Sequence, residues 1–153
     1  MIGTVALAPL MLLTACSGST ENDAQDVRDA ILAEAPGVED AVVRYRTDIF
    51  TNKLSIRLSM PTVSEGDDAA LLAAIDAALD QAWNASPSEP SNISIEIAPA
   101  PFAEGERIGD PGTITLNGRG FDEALGLDYD VPWDTLIAPS ALLTERYGQR
   151  ADA

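Results

Sequence analysis

Cys16 is the only thiol in a chain of 153 residues that contains no histidine. A structural zinc site needs several Cys or His ligands, and a Ser-His-Asp or Cys-His relay needs an imidazole, so neither can be built here. One cysteine also excludes a disulfide framework. The chemistry left is that of charge. Acidic residues number 25 and basic ones 9, a formal net charge of −16. Such a chain is a poor partner for nucleic acid, because phosphates repel it and few cations are present to displace counterions. No cofactor is implied either. Gly118-Arg119-Gly120 lacks the further glycine and the strand-to-helix setting of a phosphate-binding loop.

Four of the basic residues, Arg44, Arg46, Lys53 and Arg57, fall within fourteen positions. Strand alternation places all four on the polar side of one hairpin. A guanidinium-rich surface presents forked donors to phosphate or carboxylate, so one reading is a patch for an anionic partner such as a lipid headgroup, a wall polymer or an acidic ligand. The other is that Glu96 and the acidic C-terminal segment cover it, since residues 100–153 carry ten acids and four bases. The acidic run Asp122, Glu123, Asp128, Asp130 and Asp134 offers oxygen ligands of the kind calcium takes. Its spacing is not that of an EF-hand loop, and a solvated acidic loop accounts for it, so Asp128, Asp130 and Asp134 stand only as weak metal candidates. With so many acids, a carboxylate pair means nothing without a cleft around it. A Ser-Lys dyad would have to use Lys53, the only lysine, and no motif surrounds it. Trp83 and Trp133 read as core or interface residues rather than stacking platforms.

Residues 1–15, MIGTVALAPLMLLTA, are uncharged and apolar and end in small residues. A membrane-spanning helix needs about 20 apolar residues. This stretch is shorter and holds Pro9, which suits the apolar region of a secretory signal. Leu13-Thr14-Ala15-Cys16 resembles the lipobox of bacterial lipoproteins. The resemblance covers the leader alone. It implies a diacylglycerol thioether on Cys16, cleavage before it, palmitate-type acylation, and a protein held on the outer, extracytoplasmic face of the cell membrane. No Lys or Arg precedes Arg28, so the basic start that such leaders carry is expected upstream of Met1. Each buried methylene adds about 0.8 kcal/mol, so one chain contributes on the order of 10 kcal/mol and two give stable anchoring.

Beyond a polar tether over residues 16–22, the elements that must position these residues read as a small α+β domain. Val27, Ala30, Ile31 and Ala35 share one face of a helix over 23–35, stopped by Pro36-Gly37. Clean alternation over 41–47 and 53–60 predicts a half-buried antiparallel hairpin, with a turn at 48–52. Ser64 and Asp67 resemble a capping box ahead of a second helix over 67–84, whose apolar stripe runs from Leu71 to Trp83. A third strand alternates over 92–98. Two helices on one face of a small antiparallel sheet is the economical packing for this α-β-β-α-β order. The order is similar to that of ferredoxin-like domains and the periplasmic BON domain, and no signature residue of either carries over. Residues 100–153 read as an irregular extension packed on the core formed by 23–99. It holds a short edge strand at 113–116 and two short helices at 133–138 and 140–147, and its last residues are expected to be disordered.

These features favour a non-catalytic, lipid-anchored binding module of the cell envelope, with an envelope protein or polymer as partner. A small-ligand binder or carboxylate-dependent hydrolase is the alternative. It requires a pocket where two carboxylates converge and one has a raised pKa.

Overall fold

Val27, Ile31 and Ala35 recur every fourth residue and are all buried, which fixes the inward side of the first helix, α1 (Gly18–Glu34). The computed structural model describes residues 18–127 and 134–150. Three residues past the end of the helix, Gly37 has a φ of +74° and carries the chain away in a conformation open to glycine. A β-carbon there would stand 2.8 Å from Val63 Cγ2, so the close approach of the turn after Met60 also favours glycine. α1 starts earlier than its apolar pattern indicates. The polar residues 18–22, expected as part of a tether, form its first turns. Ser, Thr, Asn and acidic residues are favoured both in linkers and at helix starts, so composition alone cannot separate the two.

Alternation then builds β1 (Asp40–Asp48) and β2 (Thr51–Ser59) as an antiparallel hairpin, with Arg46 opposite Lys53 and Asp48 opposite Thr51. Leu54, Ile56 and Leu58 of β2 point into the core and are buried. The second helix, α2 (Asp68–Ala85), lays Leu71, Ile75, Leu79 and Trp83 over them. Its N-cap is Asp67, whose carboxylate accepts from Ala70 N at 3.1 Å. Ser64 serves the preceding turn instead, accepting from Asp67 N through its carbonyl at 2.9 Å. β3 (Asn92–Ala98) follows, with Ile93, Ile95 and Ile97 buried.

The fold is α+β, with a sheet of four strands in the order β1-β2-β3-β4. β3 lies parallel to β2, because the α2 crossover returns the chain to the end where β2 began. The sheet is therefore mixed, where an antiparallel one was expected. The fourth strand, β4 (Leu136–Pro139), pairs antiparallel with β3, Ile93 opposite Ala138 and Ile95 opposite Leu136. This segment was expected to be helical. Leu136 and Ala138 are buried when they face the core from the sheet edge, and pairing with β3 outweighs the weak local pattern.

The expected edge strand at 113–116 is not one. Ile114 N donates to Ile97 O at 2.8 Å beyond the end of β4, and no further ladder forms. Ile114 and Leu116 nevertheless belong to the core, with Phe121 and Leu125 of the short helix α3 (Phe121–Leu125) and Leu143 of the last helix, α4 (Ser140–Tyr147). The C-terminal segment thus supplies side chains to the same apolar cluster as the first two helices.

Candidate functional site

The outer side of the hairpin carries the four cations singled out by sequence, and the structure divides them. Arg57 sits in β2, an inner strand, and is 1% exposed. Its Nη1 donates to Glu96 Oε1 at 2.7 Å and to Asp110 O at 2.9 Å. Its Nη2 donates to Pro111 O at 3.1 Å and pairs with Glu106 Oε1 at 2.7 Å. Gly109 N donates to Glu96 as well, and Ser59 Oγ to Ala100 O. The loop over 100–111 is therefore strapped across this part of the sheet by a guanidinium. Burial works against the charge of Arg57, but its hydrogen bonds to Glu96 and Glu106 outweigh that and hold its pKa above the ordinary value. Its Nε is buried and has no partner among the described residues.

Arg44, Arg46 and Lys53 lie toward the turn, beyond the reach of this strap, and are exposed. Cross-strand register sets Arg46 directly against Lys53. Like charges facing each other across strands are destabilising, and among the described residues no carboxylate within ion-pair distance relieves them. The predicted patch of four is thus an open patch of three beside one buried structural arginine.

The turn itself holds a feature that the sequence reading passed over. Ile49 and Phe50 are its two central residues, 91% and 93% exposed. Among the described residues they are the large apolar side chains left in solvent. Two-residue hairpins favour Gly, Asn or Asp with positive φ, and neither residue has it. Neither turn chemistry nor core packing explains them. An apolar pair inside a turn was the available signal. The base of the turn is braced: Ser91 donates to Asn52 O through both N and Oγ at 2.7 Å, and Ser140 N donates to Ser91 O at 3.0 Å. A groove of about 400 Å³ runs between the turn and Glu89–Ser91.

Elsewhere, Asp134 accepts from Thr113 Oγ1 at 2.7 Å and from Thr135 Oγ1, while Asp128 and Asp130 lie outside the described residues. No group of three potential metal ligands occurs among the described residues. Trp83 is buried and its Nε1 donates to Gly148 O at 3.0 Å, a core role. Trp133, the leader with Cys16, and the final residues 151–153 also lie outside the described residues. Sequence reasoning missed one further cluster. Arg146 pairs with Asp76 at 2.9 Å, and Tyr147 donates to the same carboxylate at 2.6 Å, tying α4 to α2.

The fold and this face define a small α+β protein with one open cationic edge. Compared with family models, curated proteins and solved structures, the chain matches none of them. No helix among the described residues is long and apolar enough to cross a membrane.

Proposed function

We propose that this protein is a lipoprotein anchored through Cys16 on the extracytoplasmic face of the cell membrane, and that its α+β domain is a non-catalytic module binding an anionic component of the envelope. The lipobox supplies the location. The binding reading is carried by the open cluster of Arg44, Arg46 and Lys53, held with two cations face to face on a chain of net charge −16. An arrangement that costs stability and meets no carboxylate among the described residues suits an external one, or a phosphate. Glu96 and Glu106 do converge, and both are already taken up by Arg57.

The test is binding of the mature protein to envelope fractions at rising salt. Replacing Arg44, Arg46 and Lys53 together by Gln should remove most of the salt-sensitive binding and leave the far-ultraviolet spectrum unchanged, since all three are exposed. Unchanged capture by the triple variant would count against this face.

A further inference from the structure

We infer that the Ile49–Phe50 turn dips into the phospholipid leaflet that holds the acyl anchor, with Arg46 and Lys53 meeting headgroup phosphates just above it. The inference rests on the lipid-anchored reading and names the partner of the same cationic edge.

Chain direction places the turn beside the anchor. Arg28 of α1 donates to Ala41 O at 3.0 Å and pairs with Asp40 at 2.6 Å, both at the start of β1. Glu21 and Ala24 border a groove shared with Val43. The helix therefore runs back along β1, with its first residue toward the turn. From Arg28 to Gly18 the helix rises about 15 Å, and from Ala41 to Asp48 the strand advances about 23 Å. The turn thus projects roughly 8 Å past the start of α1. Cys16 is two residues before Gly18, and two peptide links span at most about 7 Å. An acyl chain on that sulfur enters the leaflet at the end of the molecule where Ile49 and Phe50 stand in the open.

The chemistry of the turn fits the same occupant. An aromatic and a branched aliphatic side chain at a protruding point, followed by cations three residues back along each strand, about 10 Å away, match a bilayer's order of acyl region below and phosphate above. Asp48 and Glu89 bring negative charge to the same end. Contact with phosphate thus falls to Arg46 and Lys53, and depth to the two apolar side chains. A protein partner would need a pocket for both side chains and is kept as an outcome of the test.

The experiment uses the mature protein extracted from membranes of bacteria expressing the full chain. Thr47→Cys, beside the turn, and Glu39→Cys, at the opposite end, are each labelled with an environment-sensitive fluorophore. Both positions are exposed. The proteins are reconstituted in phosphatidylglycerol–phosphatidylethanolamine vesicles carrying nitroxide-labelled lipid. The expected result is a blue shift and several-fold stronger quenching at Thr47 than at Glu39, lost when Ile49→Ser and Phe50→Ser are added. Equal quenching at the two sites, or quenching that survives the serine pair, overturns the inference. So does quenching that appears only when envelope proteins are added, since that assigns the turn to a protein partner. Intact mass separates the two failures. An acylated Cys16 without quenching at Thr47 overturns the docking and leaves the anchor, while a second fluorophore on a bare Cys16 removes the anchor and this inference with it.

Discussion

Arg57 shows how one side chain can leave a predicted surface and become an internal part. Alternation puts it on the outer side of β2, opposite the core, and it is there. What alternation cannot supply is the cover, because Glu106, Asp110 and Pro111 reach it from some fifty positions along the chain. A buried ion pair is weak evidence of net stabilisation, but breaking one member leaves a desolvated charge behind. Arg57→Met should therefore destabilise by about 3–5 kcal/mol in urea unfolding. Adding Glu96→Leu should recover most of that loss, since Glu106 is partly exposed and can be hydrated alone. Equal losses in the single and double variants would show that the pair does not act as a unit.

Between elements, the join of α4 to α2 carries a pH dependence with two limbs. Arg146, through its hydrogen bonds, holds Asp76 below the usual carboxylate range against the effect of burial. A depressed folded pKa gives stability that is present above the ordinary value near 3.8 and lost as pH falls below it. Burial raises the Tyr147 phenol, and the Asp76 carboxylate raises it further. That stability is complete below the ordinary value near 10 and is lost as pH climbs past it. Asp76 and Arg146 are each about a third exposed, so solvent screening limits each limb to about 1 kcal/mol or less. Thermal unfolding across pH should show a flatter acid limb in Asp76→Asn and a flatter alkaline limb in Tyr147→Phe.

The same scale shows what sequence could reveal. β2, α2 and β3 have strong periods that their own residues impose, and their positions are legible. β4 is four residues ending in Pro139, and its strand conformation comes from docking on Ile93 and Ile95. Residues 113–116 alternate well but lie where β3 offers them one hydrogen bond. Local pattern decides long elements, and tertiary pairing decides short ones at an edge. Of the candidate face, the three open cations follow from alternation. The loss of Arg57 to the strap depends on the fold, while the apolar turn was visible in the sequence and contrary to turn rules.

At the scale of the molecule, one end gathers the start of α1, the hairpin turn, the 86–91 loop and the β4–α4 junction. The opposite end holds Gly37, the capped start of α2 and the exit of β3. An acyl anchor on Cys16, as proposed, would leave little slack, because the residues expected as tether are helical from Gly18. With that anchor, so short a tether would keep the cationic edge near the bilayer rather than letting it range through the envelope. The proposed activity therefore depends on modification of Cys16, and the most direct measurement is the intact mass of protein extracted from membranes of bacteria expressing the full chain. The account predicts a chain that begins at Cys16, has lost residues 1–15, and carries a diacylglyceryl group on its sulfur. A chain retaining the leader with the Cys16 thiol unmodified would contradict it.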